Sequence, residues 1–235
     1  MSALEASPEF EYINKRIPKY YHNLMSFYYI KQNVFEKIRD KSDLVVIDSG
    51  AHSFQKGKKV HWIDYTEQYA EWIQKNDCDK VLGYFEMDID PAGYSYSYVK
   101  ELRKILEKKS NKIIPVWHKN RGINDFKQMC KNPIHKDRII SITGFKNEDI
   151  KDEQYKNFVA YAHYHKCKVF CLGMTRRKLL NTVPFDFTDS SSWKQAGIYG
   201  RVGKHKVTKE FSKRNRPEVL LQSYKEFMKL QEKYR

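Results

Sequence analysis

Long apolar runs are missing from this chain, and so is the charged-then-apolar pattern of a secretory leader, so neither a membrane-spanning helix nor export is expected. Paired cysteines are missing too. Cys78, Cys130, Cys167 and Cys171 show no Cys-x-x-Cys spacing, which argues against a zinc ribbon or a disulfide framework and for a reducing cytoplasm. Cys167 and Cys171, inside KCKVFCLGM, read as small core residues rather than ligands, and no metal site is assigned. No Pro/Gly/Ser-rich linker and no fixed-period repeat divides the 235 residues, which favours one domain with only residues 1–8 (MSALEASP) flexible. Acidic residues are scarce. Against 44 Lys+Arg stand 29 Asp+Glu, a net charge of +15, so the natural partner is a polyanion, with nucleic acid ahead of a membrane surface.

Present instead are short apolar runs: LMSFYYI (24–30), LVVID (44–48), VLGYFEMD (81–88), IIPVWH (113–118), IISITG (139–144), KVFCLG (168–173) and FDFTD (185–189). Between them lie stretches with apolar residues near i, i+3, i+4 spacing, at 65–76, 97–109 and 152–165. Strand alternating with helix predicts an α/β fold of parallel strands with right-handed crossovers, as an open doubly wound sheet or a closed (β/α)8 TIM-like barrel. Seven strand candidates favour the barrel. An eighth is expected within 197–207, and Pro217 should start a closing helix over 217–231.

In either architecture the carboxyl ends of the strands share one rim, which gathers Asp48, Asp88, His118, Gly144, Gly173 and Asp189. A strand-end aspartate serves as readily to cap the following helix as to react. Two carboxylates on one rim nevertheless suit glycosyl transfer: one attacks or stabilises a cationic C1′ while the other moves a proton. Asp48 and Asp189 form that pair. Gly144 and Gly173 would let a planar base approach the backbone, with Phe170 as a stacking surface. Trp117 and His118, with Arg121 beyond, read more readily as a rim aromatic beside a satisfied histidine than as substrate contacts, and His163 and His165 as surface residues.

Three segments carry a resemblance. DSGAHSFQ resembles the Asp-Ser-Gly-Gly-Phe-Gln signature of the tRNA-guanine transglycosylases, VFCLGMT is similar to their Tyr-Leu-Met-Gly-Val-Gly strand, and FDFTDSSSW resembles the Asp-Leu-Phe-Asp-Ser-Ala-Ser-Tyr nucleophile segment of archaeal members. They occur in the family's order. The resemblance implies a compact barrel without the zinc-binding subdomain, because the family's Cys-x-Cys-x-x-Cys and His ligands are absent from the sequence. It implies exchange of guanine for a 7-deazaguanine through a covalent aspartyl-glycosyl intermediate, with no cofactor. Asp189 matches the nucleophile and Asp48 the acid/base group; Asp88, or Asp90 two residues on, matches the base-recognising aspartate. Ser49, Gly50, Gly144, Phe170, Leu172 and Gly173 fall at base-pocket positions, and either His52 or Phe54 takes the place of the signature Phe.

A short, basic chain without those ligands looks more like the related enzymes that insert 7-deazaguanines such as 7-cyano-7-deazaguanine into DNA, found in phages and bacterial DNA-modification systems. Its location would then be the cytoplasm, the host's if phage-encoded. DNA is the expected partner, tRNA the alternative, and a protein partner is open. A base in a duplex must be flipped out at a cost of a few kcal/mol, which phosphate contacts offset. Arg176 and Arg177 beyond Gly173, and the run containing Lys204, Lys206, Lys213 and Arg214, are the candidates for those contacts. A non-catalytic nucleic-acid-binding barrel would keep the charge but have no use for Asp48 and Asp189.

Overall fold

The protein is described here from a computed structural model covering residues 1–54, 60–144, 149–196, 201–202, 205–206 and 208–234. It is a mixed α/β structure with two four-stranded parallel sheets. The first contains β1 (His22–Ser26), β2 (Leu44–Asp48), β3 (Val81–Phe85) and β4 (Ile113–Ile114), and the second β5 (Val116–Trp117), β6 (Ile139–Thr143), β7 (Lys168–Leu172) and β8 (Phe187–Thr188). In both sheets spatial order follows chain order. Helices α1 (Phe10–Arg16), α2 (Gln32–Lys41), α3 (Trp62–Asn76), α4 (Tyr96–Glu107), α5 (Ile123–Lys131), α6 (Tyr155–Tyr164), α7 (Arg177–Thr182), α8 (Lys209–Arg214) and α9 (Arg216–Lys233) complete the described elements. No described helix is long and apolar enough to cross a membrane.

A single segment, 113–117, supplies both β4 and β5, because Pro115 lies between them and has no N–H to give a ladder. Its neighbours use its carbonyls instead: Glu86 N–H donates to Ile114 O (3.1 Å) on one side and Ser141 N–H to Pro115 O (2.9 Å) on the other.

Alternation along the strands sorts side chains into two sets. Val45, Ile47 and Tyr84 of the first sheet bury against helical residues such as Phe35, Tyr69, Ile73 and Leu102. Ile140, Ile142, Val169 and Cys171 of the second bury against Phe126, Tyr155 and Val159. The opposite faces meet in a third cluster of Leu24, Val46, Phe85, Ile114, Val116, Ile139 and Phe170, with Leu82, Leu172 and Phe187 against it, so that each of the eight strands contributes. Cys130, Cys167 and Cys171 are buried free thiols, in line with the reading of Cys167 and Cys171 as core.

Two expectations are corrected. The chain start is packed rather than loose: Met1, Ser2, Leu4, Glu5 and Ser7 are buried. The β1 edge explains this, since its backbone groups need partners. Leu24 N–H donates to Met1 O (2.6 Å), Ala3 N–H to Leu24 O (3.2 Å), and Ser2 N–H reaches across to Ser190 O (3.0 Å). The described residues of 197–207, where an eighth strand was sought, also join neither parallel sheet. Arg201–Val202 (β9) and His205–Lys206 (β10) form an antiparallel two-stranded ribbon outside both parallel sheets. The closing helix does occur as α9, with Pro217 in its first turn.

Candidate active site

Each strand that carries an interior apolar residue places the residue two positions later on the same face and nearer its carboxyl end. Leu24, Val46, Val116 and Phe187 are interior, so Ser26, Asp48, His118 and Asp189 follow them toward one rim. By the same step Ser141, whose hydroxyl donates to Phe170 O (3.1 Å), leads to Thr143. Asp88 arrives differently. After β3 the backbone makes two successive i→i+2 turns, Asp88 N–H to Glu86 O (3.1 Å) and Ile89 N–H to Met87 O (2.9 Å), which swing Asp88 to the rim.

Asp48, Asp88 and Asp189 are each half-buried there. Burial, and then the charge of Asp88, push the Asp48 carboxyl up to about 7; the Gly50 N–H, 3.0 Å from Oδ2, opposes the rise, and the charge of Asp189 adds to it. Burial likewise raises Asp189, against the Gly173 N–H that donates to its Oδ1 at 2.7 Å. Gly173 has φ +68°, the left-handed conformation that turns its N–H onto the carboxylate.

His118 joins the group through both ring nitrogens, Nδ1 3.0 Å from Asp149 Oδ2 and Nε2 3.3 Å from Asp88 Oδ2. Burial works against the imidazolium, but the bonds to Asp149 and Asp88 outweigh it and hold the ring up at about 9. Asp149 is pushed down to about 2, its hydrogen bonds from His118 and Thr143 overcoming burial. Behind the rim lies a buried ion network. Arg121 donates through Nε and Nη2 to both oxygens of Asp90 (2.8 and 2.6 Å) and through Nη1 to Glu86 (2.8 Å), which Arg103 also pairs.

That network separates the two candidates for base recognition: Asp90 has both oxygens committed to Arg121 and a side chain 1% exposed, whereas Asp88 faces Asp48 and His118. Other expected base contacts lie elsewhere. Ser49 is fully buried, its hydroxyl accepting from Ala51 N–H (3.3 Å) and its carbonyl from Tyr65 O–H (2.8 Å). Gly50 does not leave room for a base. A Cβ there would sit 2.5 Å from Tyr28 Cβ and 2.9 Å from Ser26 Oγ, so the glycine answers to packing and to φ +78°. Phe54 packs edge-on against Tyr28, Tyr65 and Trp62 while His52 is exposed.

Phe170 is a core residue, edge-on to Phe85 (5.1 Å) and stacked on Phe187 (5.9 Å), and it also lines a cavity that reaches Asp189. Leu172, one pleat higher and half-buried, is the residue of β7 nearest the carboxylates on that face. Both backbone groups of Gly144 are used, the N–H to Leu172 O (2.6 Å) and the carbonyl by Arg176 Nη1 (2.8 Å). Arg176 also pairs with Asp152 (2.9 Å), so it ties two loops together. Trp117 is core, its Nε1–H bonded to Gly122 O (2.9 Å), and His163 pairs with Asp186 (2.8 Å).

Arg177, Lys213 and Arg214 are exposed; Lys204 lies outside the described residues and Lys206 belongs to β10. Two cavities adjoin Asp189, one of about 410 Å³ in the seam between β1 and β8 and one of about 550 Å³ between α7 and α9, the latter lined also by Arg177, Lys229 and Lys233. Among the described residues no group of three or more His, Cys, Asp or Glu is placed to hold a metal ion.

Asp149, Thr143 and Glu86 escaped the sequence reading. Thr143 was within reach of the sequence, since it ends the run IISITG just before Gly144, but Asp149 lies in a loop with no periodic signal. Comparison of the chain with protein-family models, with curated proteins and with solved structures finds no match in any of the three.

Proposed function

We propose that this protein is a DNA base-exchange transglycosylase on a (β/α)8-like barrel, replacing guanine with a 7-deazaguanine such as 7-cyano-7-deazaguanine. The observation that carries the reading is the meeting of three carboxyl groups, Asp48, Asp88 and Asp189, on one rim, with Asp48 balanced at about 7 between its acid and its base form. The barrel rests on the interior cluster fed by all eight strands and on Met1–Ala3, which bridge β1 and Ser190 where an eighth stave would run.

In this mechanism an Asp189 oxygen attacks C1′ of the target nucleotide. The C1′–N9 bond breaks, its electron pair stays with guanine, and Asp48 supplies the proton that makes the departing base neutral. The incoming deazaguanine returns a proton from N9 to Asp48, forms the new bond to C1′ and releases Asp189. Asp88 accepts hydrogen bonds from the amino-pyrimidinone edge in both half-reactions. The charge of +15 supplies the phosphate contacts that offset flipping the base out of a duplex.

The test is incorporation of labelled 7-cyano-7-deazaguanine by purified protein offered plasmid DNA and bulk tRNA in parallel. Label enters DNA only, and Asp189→Asn abolishes both label and the covalent protein–DNA adduct. Label in tRNA would transfer the reading to RNA, adduct formation by Asp189→Asn would remove Asp189 as nucleophile, and binding without exchange would leave a non-catalytic nucleic-acid-binding barrel.

A further inference from the structure

Three carboxyl groups share a half-buried rim, and like charges so placed do not all ionise together; something must decide which one keeps a proton. One cation facing them is the imidazole of His118, and it is placed unequally, while the Met1 amino group lies by Asp189. Its Nε2 meets Asp88 at 3.3 Å, while Asp48 has the Gly50 N–H as its hydrogen-bond donor from the backbone. Behind the ring stands Asp149, which is itself thoroughly anchored. Its Oδ2 takes Nδ1 of His118 (3.0 Å) and the Thr143 hydroxyl (2.7 Å), and its Oδ1 takes Lys119 N–H (3.2 Å).

The groups facing His118 come from three segments: Asp88 and, farther back, Asp90 after β3, Asp149 after β6, and Arg121 on the histidine's own loop. Arg121 opposes a second cation, but its guanidinium is matched by Glu86 and Asp90. A histidine gripped at Nδ1 by a carboxylate and turned through Nε2 onto a second group is a directed donor rather than a space-filler.

We infer that Asp149 and His118 are positioning residues that hold Asp88 as the hydrogen-bond acceptor of the rim and leave proton exchange to Asp48. For its effect on turnover this rests on the transglycosylase reading; the placement of charge does not. Neither residue takes part in bond making. Asp149 acts through His118, and His118 acts through Asp88, so that the base is met by a pure acceptor while the neighbouring aspartate shuttles the proton.

The experiment follows the ring resonances of labelled histidine in the wild-type protein and in Asp149→Asn, with His118→Gln assigning the signal. The His118 midpoint, held at about 9 in the wild type, falls by about one unit or more in Asp149→Asn, as expected when a charged partner is removed, and Asp149→Glu restores most of it. An unmoved midpoint in folded Asp149→Asn overturns the inference whatever the enzyme does. Should Asp149→Asn fail to fold, Asp88→Asn, which removes the carboxylate at Nε2, must lower the midpoint, and an unmoved midpoint overturns it.

In exchange assays Asp149→Asn and His118→Gln each raise KM for the free base about tenfold with a smaller change in kcat, and the double variant is no worse than His118→Gln alone. Additive losses would mark two separate structural effects and overturn the pairing. A wild type that exchanges no base, with the midpoint still falling in Asp149→Asn, would sink the transglycosylase reading and keep the charge assignment.

Discussion

Asp48 keeps its proton in the folded protein up to about pH 7, whereas in the unfolded chain an aspartate loses it near pH 4. Between those values the native state binds more protons than the unfolded one, so Asp48 makes stability fall as pH rises through that window. Asp48→Asn has no proton to lose. Its advantage over the wild type therefore grows from pH 4 to pH 7 and is level above, reaching about 2 kcal/mol after allowance for the group's partial exposure. Urea unfolding at pH 4.5 and pH 8 checks this, and an advantage of equal size at both values would show that the carboxyl is not strained at neutrality. On the proposed mechanism the same substitution ends base exchange. A residue whose removal stabilises the fold while ending turnover is held where it is for chemistry rather than for structure.

Along the elements, the strand ends were legible because short apolar runs stop on a polar residue, and at 48 and 189 that residue marks the carboxyl end of a strand whatever the strand packs against. Depth along a strand was less so. Phe170 and Leu172 share an orientation on β7, and only the pairing of Phe170 with Phe187 in the ladder shows that one sits in the core and the other near the rim. Phe170→Ala therefore costs about 3–4 kcal/mol of stability by opening a cavity between Phe85 and Phe187, measured by denaturant unfolding. A variant that kept its stability and lost only affinity for the free base would return Phe170 to the ligand pocket.

Gly50 was expected at the base pocket, and the turn at 27–29 packs Tyr28 against it instead; no local pattern links residues 28 and 50, which meet only because β1 and β2 run side by side. The docking of the chain start was invisible for a similar reason. Met1–Ala3 lacks the length and periodicity of a strand, and its partners Leu24 and Ser190 lie far along the chain.

At the scale of the whole molecule the rim is acidic while the chain is basic, and the two facts fit together only if most of the positive charge lies away from the carboxylates. The structure bears this out for the cations nearest the rim: Arg103 and Arg121 are consumed by Glu86 and Asp90, and Arg176 by Asp152 and the Gly144 carbonyl. What remains for a polyanion is the exposed set, including Arg177 at the start of α7 and Lys213 and Arg214 in the last turn of α8. A phosphate contact and a merely solvated charge differ in one measurable respect, the release of counterions on binding. Each phosphate neutralised steepens the plot of log K against log salt by about 0.9 for duplex DNA. Lys213→Ala/Arg214→Ala is therefore expected to weaken duplex binding at all sequences and to flatten that slope by about 1–2, with base exchange at saturating DNA unchanged because neither side chain belongs to the rim. A slope that stays as steep as the wild type's would assign these two residues to solvent and leave Arg177, Lys229 and Lys233, which line the groove between α7 and α9 beside Asp189, to carry the strand toward the site.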